Sequence, residues 1–219
     1  VPRWALGYQQ CRFSYTPDSR VIEIADTLRY KRIPCDVIWM DIDYMDGYRI
    51  FTFNPQGFPD PKAVNRDLHL RGFHSVWMID PGAKAETGYS VYDSGTANDV
   101  WVKTADGKEY NGDAWPGKVA WPDFTDPKVC QWWGGLYKDF MAQGVDGVWN
   151  DVNEPQVSNT PTGTMPEDNL HRGGNGIPAG THLQYHNVYG FLMVKSSREG
   201  MLAAQPKKRP FILTRSNFL

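Results

Sequence analysis

Short apolar runs recur along the chain, separated by longer stretches in which apolar residues return every three or four positions. The runs at 4–8, 36–42, 75–79, 147–150 and 210–214 are too short for helices and too uniformly apolar for a sheet wetted on one face. They predict strands buried on both faces. Between them, residues 18–32 set Val21, Ile24, Ala25 and Leu28 on one helical face, with Pro34 beyond as a stop. Residues 126–143 repeat the scheme: Asp126 and Pro127 open the helix, Trp133, Leu136, Tyr137 and Phe140 make its stripe, and Gly144 closes it. A third helix is predicted at 182–202. Strands alternating with helices in this order predict an α/β fold on a parallel sheet.

Two stretches break the rhythm. Residues 81–123 carry turn signals at Gly107, Gly112 and Pro116-Gly117, and the alternation through Val100, Val102 and Tyr110 predicts a small antiparallel hairpin. Residues 155–181, rich in Gly, Pro, Thr and Asn, predict a long loop. Both are read as insertions, after the third and fourth strands. There is no internal repeat.

Composition narrows the function classes. Lys plus Arg number 23 against 25 for Asp plus Glu, a net charge of −2, so there is no electrostatic footprint for nucleic acid or an anionic membrane. No apolar run is long enough for a membrane span, and Val1-Pro2-Arg3-Trp4 shows neither a basic n-region nor an apolar h-region. The compartment stays open. Cys11, Cys35 and Cys130 form no CxxC pair and are expected to be buried, unpaired thiols. Nine Trp, eleven Tyr and ten Phe supply the flat apolar faces on which sugar rings stack, although most must serve the core.

The charged residues fall where the predicted strands end. Asp41 and Asp43 close the second, Asp80 the third, Asp151 and Glu154 the fourth, and Arg215 the fifth. In a (β/α)8 TIM barrel these ends converge on one rim, whereas a doubly wound dinucleotide fold would place a glycine-rich turn after its first strand. The residues there are Gln9-Gln10-Cys11-Arg12-Phe13. Several carboxylates and one arginine on a neutral rim suit glycoside chemistry, in which one carboxylate faces the anomeric carbon and another protonates the leaving oxygen. Metal binding is the rival, since Asp41 and Asp43 two apart in a strand would share a face. It is the weaker reading without a phosphate cradle, and no metal or cofactor is expected. Asp46 reads as a cap. His69 and His74, at a helix end and in the loop after it, read as structural, as do His182 and His186, whose spacing lacks the glutamate of an HExxH motif.

The segment Gly144-Val-Asp-Gly-Val-Trp-Asn-Asp-Val-Asn-Glu-Pro155 closely resembles the nucleophile segment of family 31 glycoside hydrolases, the α-glucosidase group. Trp39-Met-Asp-Ile-Asp-Tyr-Met-Asp46, Ile79-Asp80-Pro81, the stretch from Trp115 to Phe124, and Leu213-Thr-Arg-Ser216 resemble further family segments in the same order. The resemblance implies a (β/α)8 barrel of which about the first five βα units are present, with Asp151 as nucleophile and Glu154 shaping the site. It implies Asp41, Ile42, Asp80 and Arg215 around the non-reducing glucose, with Trp115, Trp149 and Phe13 lining the pocket. Phe13 and Val152 stand where relatives often have Trp and Met. The family's acid/base aspartate lies in a Trp-Thr-Gly-Asp-like segment beyond the fifth strand, past Leu219, so the chain is read as a fragment whose further partner is the remainder of its parent. The implied activity is retaining, exo-acting α-glucosidase hydrolysis of oligosaccharides. A non-catalytic sugar-binding protein on a degenerate barrel and an α-transglucosylase are the alternatives.

Overall fold

The structure is a computed structural model that describes residues 1–216. Its centre is a five-stranded sheet of β1 (Gln9–Gln10), β2 (Val37–Met40), β3 (His74–Ile79), β7 (Gly147–Asn150) and β10 (Ile212–Thr214), parallel throughout and ordered as in the chain. Sequential neighbours pairing in parallel is the arrangement of a barrel laid part-way round. The crossovers run through α1 (Asp18–Tyr30), α2 (Pro61–Leu70), α4 (Pro127–Met141) and α5 (His182–Ala204).

Local chemistry sets where these helices begin. Asp60 and Asp126 accept hydrogen bonds from the Ala63 and Lys128 amides, each followed by a proline in the first turn. Thr181 and Gln184 form a capping box at the head of α5. Along β2 the side chains alternate between two packing layers. Ile38 and Met40 join the main core beneath the helices, whereas Val37 and Trp39 join Val76, Trp4, Trp149 and Phe211 on the inner face.

The first predicted strand is corrected by the structure. Residues Arg3–Leu6 form a 3-10 turn, and the strand is the polar pair Gln9–Gln10 that follows. Trp4 earns its apolar character as a plug, stacked on His74 at 4.7 Å and edge-on to Phe211 at 5.0 Å. His74 opens β3 and is not in a loop. Asp41 and Asp43 do not share a strand face, because β2 ends at Met40 and Asp41 caps a 3-10 turn, Ile42–Tyr44, by accepting from the Ile42 amide. The cysteines are free, but Cys11 is exposed, Cys130 is half-buried and only Cys35 is buried.

The stretch 81–123 holds more than a hairpin. β5 (Asn111–Ala114) and β6 (Gly117–Ala120) pair antiparallel, β4 (Ala83–Lys84) adds a third strand, and a helix, α3 (Ser90–Ala97), lies between β4 and β5 in the chain. Val100, Val102 and Tyr110 lie beside this sheet, outside its strands. Residues 155–181 are mostly loop with one short antiparallel pair, β8 (Leu170–His171) and β9 (Gly180–Thr181). The two stretches are pinned together by buried Asp123, which accepts from His171 Nδ1 at 2.8 Å, the Arg172 amide at 2.7 Å and Thr125 Oγ1 at 2.6 Å. Burial works against its charge, but these donors win and hold Asp123 below the usual carboxylate range.

Helices α4 and α5 meet backbone to backbone at Gly134 and Gly200. A Cβ on Gly200 would fall 2.5 Å from the Gly134 carbonyl oxygen, whereas one on Gly135 meets nothing within 4 Å. Gly200→Ala is expected to destabilise the protein by about 1–3 kcal/mol through overpacking. Gly135→Ala should be neutral or stabilise by up to about 1 kcal/mol. Denaturant midpoints of the two variants check the contrast.

Candidate active site

Parallel strands place all their carboxyl ends on one edge, and register decides which residues meet there. Ile79 pairs with Asn150, and Asn150 with Thr214. The next residues, Asp80, Asp151 and Arg215, therefore form one row across three strands. β2 is staggered, with Met40 opposite Trp77, so Asp41 enters the rim level with Met78 rather than with Asp80.

Arg215 is the cation of the row. Its Nε lies 2.8 Å from Glu154 Oε1 and 3.3 Å from Asp151 Oδ1, and its Nη2 donates to Glu154 Oε2 at 3.3 Å and Gln156 Oε1 at 3.2 Å. Glu154 and Gln156 thus aim the guanidinium, leaving it against the flank of Asp151. The Asp151 side chain is 16% exposed, and its Oδ1 makes no well-aligned hydrogen bond. That oxygen faces the Arg215 guanidinium in an ion pair rather than in a directed hydrogen bond.

Asp80 is buried, and its Oδ1 has no hydrogen-bond partner. Burial raises its pKa well above the usual carboxylate range, and the charges of Asp151 and Asp41 push the same way against the pull of Arg215. Asp41 is also raised, chiefly by burial and further by Asp151 and Asp43, although the Ile42 amide, donating at 2.7 Å, works to ionise it. The rim thus holds neighbouring carboxyl groups in different protonation environments, a recurring mark of acid–base and nucleophilic sites.

The segment after β7 turns sharply. Val152 has φ +42°, in the left-handed region that β-branched residues avoid, and its side chain is buried. Two hydrogen bonds hold that turn: Asn153 Nδ2 donates to Thr214 Oγ1 at 2.9 Å, and Thr214 Oγ1 donates back to Asn153 Oδ1 at 3.1 Å.

Beside this row lies a cleft lined by Asp80, Gly82, Trp115, Trp121, Val152 and Gln156. Trp115, at the tip of the β5–β6 hairpin, is 63% exposed. Trp149 faces a second hollow with Gln9, Cys11, Trp39 and Leu213, its ring edge-on to Trp39 at 5.8 Å. Phe13 is exposed. Ile42 is the expected site residue that points away: its side chain packs in the core, and it reaches the rim only through the amide bonded to Asp41.

Sequence reasoning missed Cys11 and Gln156. Cys11 follows the polar strand that hydropathy overlooked, and although the residue is exposed, its thiol is raised by partial enclosure and by the charge of Asp41, with a smaller contribution from Asp151. Gln156 is invisible without the fold that brings it to Arg215. No helix among the described residues is long and apolar enough to cross a membrane.

Asp80 predicts a pH signature. A carboxyl whose folded pKa is raised contributes stability fully present below its unfolded value of about 4, and that contribution is lost as pH rises through the raised value. Asp80→Asn, permanently neutral, should match the wild type near pH 4 and become progressively more stable than it toward neutral pH. Urea midpoints measured across that range test this; parallel curves would mean that Asp80 ionises without penalty.

Comparison with known proteins places the chain in a family. The model of the glycosyl hydrolases family 31 TIM-barrel domain matches residues 1–219. Alpha-glucosidase 2 of Bacillus thermoamyloliquefaciens is 46% identical over 217 residues, 99% of this chain and 27% of that protein. The crystal structure of a family 31 alpha-glucosidase from Bacteroides thetaiotaomicron is 75% identical, with a TM-score of 0.84, covering all of this chain and 34% of that one. A family 31 dextranase of Flavobacterium johnsoniae, solved with glucose, is 33% identical with a TM-score of 0.87, covering 99% of this chain and 26% of that one. The chain therefore spans about a third or less of these relatives, and it belongs to glycoside hydrolase family 31, as a part of its TIM-barrel domain.

Proposed function

We propose that the protein carrying this chain is a retaining, exo-acting α-glucosidase that removes terminal non-reducing α-linked glucose from oligosaccharides. The observation that carries this reading is Asp151: a carboxylate on the strand-end rim, mostly buried, paired on one flank with Arg215 and free of a hydrogen bond at the oxygen between them.

In the proposed mechanism Asp151 attacks the anomeric carbon as the leaving oxygen is protonated, giving a glycosyl-enzyme that water then opens. Arg215 supplies a cation beside Asp151 and reaches toward the same sugar, while Glu154 fixes Arg215. Asp41 and Asp80 bind hydroxyls of the terminal glucose. Pushed toward its neutral form by burial, Asp80 can both donate and accept a hydrogen bond there. Trp115 and Trp149 wall the pocket, with Phe13 at its margin and Ile42 acting through its amide. The stretches 81–123 and 155–181 serve as insertions that close one side. None of residues 1–216 is assigned the acid/base role, which this reading leaves to another part of the protein.

The test uses the full-length protein and a 5-fluoro-α-glucosyl fluoride, whose good leaving group reduces dependence on the acid. Peptide mass spectrometry is expected to find a glycosyl adduct on the Asp151 peptide, lost in Asp151→Asn. Sugar binding with neither adduct nor turnover would favour a non-catalytic binding protein. Sugar products longer than the substrate would mark a transglucosylase, in which a second sugar outcompetes water for the same intermediate. Asp41→Asn removes a charge-assisted hydrogen bond worth about 1.5–3 kcal/mol, so kcat/KM should fall roughly 10- to 150-fold without unfolding. Unchanged kcat/KM would remove Asp41 from the sugar site.

A further inference from the structure

The opposite edge of the sheet carries its own cluster. His74 opens β3, Asp146 immediately precedes β7, and His69 stands in the last turn of α2. Parallel strands bring all three to the amino-terminal rim, the far end of the barrel from Asp151. His69 Nε2 lies 2.7 Å from Asp146 Oδ2, and His74 Nδ1 lies 3.2 Å from Asp146 Oδ1. The ligating atoms of the three residues are all within 4.8 Å of one another, the one such grouping among the described residues.

We propose that His69, His74 and Asp146 form a binding site for a zinc-class divalent cation, separate from the sugar site. Two imidazoles and a carboxylate are the donor set of a borderline metal, since calcium and magnesium would call for oxygen ligands throughout. Zinc bonds of about 2.0–2.2 Å in tetrahedral geometry separate neighbouring ligand atoms by roughly 3.4 Å. The present distances bracket that value, so small ring rotations are enough. His69, more than a third exposed, has room to make them.

Further features fit a ligand here. The Nδ1 atom of His74 is buried without a well-aligned hydrogen bond, leaving it available to a metal. Trp4 stacks on the His74 ring at 4.7 Å and 19°, and the Ser75 amide donates to Asp146 Oδ2 at 3.0 Å, so two of the three ligands are already oriented by neighbours. The cluster opens on a groove that also receives Lys208 and Arg209. The groove supplies the fourth coordination position, and those two cations favour an anion in it, hydroxide or chloride. A bound metal would tie the end of α2 to the starts of β3 and β7. It would raise stability without touching the sugar site.

The experiment loads the full-length protein, stripped by a chelator, with cobalt and then zinc. The wild type is expected to bind one more equivalent than His69→Ala or the double variant His69→Ala/His74→Ala. The visible absorption of tetrahedral cobalt should be present only in the wild type, and its Tm should rise with micromolar zinc while those of the variants do not. His186→Ala, a histidine outside the cluster, should behave as the wild type. Turnover of a nitrophenyl α-glucoside should not differ between wild type and His69→Ala. Equal metal stoichiometry in wild type and His69→Ala, with both variants folded by circular dichroism, would overturn the assignment whatever the sugar chemistry proves to be.

Discussion

The carboxylates of Asp41, Asp80, Asp151 and Glu154 share the carboxyl-terminal rim with the guanidinium of Arg215. That imbalance of charge governs the site. If all four acids were ionised at close range, each unneutralised charge would cost several kcal/mol of desolvation and repulsion in a partly buried setting. The structure divides the load. Arg215 lies against the two carboxylates nearest it, Asp151 and Glu154, and offsets one of their charges, while Asp80, deepest in the rim, is pushed toward its neutral form. In the mechanism proposed above the nucleophile has to be ionised and a buried hydroxyl-binding group does not, and this charge distribution suits both roles.

This division depends on register more than on any single contact. Arg215 meets Asp151 because Thr214 pairs with Asn150, and Asp80 meets Asp151 because Ile79 pairs with Asn150. A slip of one residue in β10 would send Arg215 to the opposite face and leave Asp151 beside Asp80 without its cation. The registers are held by apolar residues of opposite parity. Val148 packs beneath the helices, while Trp149 and Phe211 pack on the inner face. The core therefore specifies the site at one remove: hydrophobic packing fixes pairing, and pairing fixes which charges are neighbours.

How much of this was legible in the sequence follows from the same hierarchy. Four of the five strands were readable as short apolar runs, and three of the crossover helices because each buries a periodic apolar stripe. Asp41, Asp80, Asp151 and Arg215 stood out because they end such runs. The first strand was misplaced because Gln9 and Gln10 pair through the backbone and bury little, whereas Trp4 is apolar for a packing reason unrelated to strand formation. Helix α3 escaped notice because Gly95 interrupts its pattern. A Cβ there would fall 2.1 Å from the Trp101 ring, so the glycine reflects a tertiary contact that no local period records. Ile42 matches a family segment, yet its side chain turns into the core once the strand ends at Met40. Strand arithmetic cannot foresee the 3-10 turn that reverses it.

The turn after Asn150 shows how the fold and the site constrain each other. After Asn150 the chain leaves the strand, and directly after Asp151 the backbone turns by placing Val152 at φ +42°. A glycine would adopt that conformation without strain, but it would leave empty the apolar surface that Val152 presents beside Trp121 and Gln156. The strain is held by neighbours: Asn153 and Thr214 exchange hydrogen bonds across the rim, and Glu154 is clamped to Arg215. Those clamps run from the β7 loop to the end of β10, the strand that supplies the cation for Asp151. The interactions that hold Val152 in an unfavourable backbone conformation are thus the same ones that fix the cation beside Asp151, so the position of Asp151 and that of its counter-charge are a single structural property.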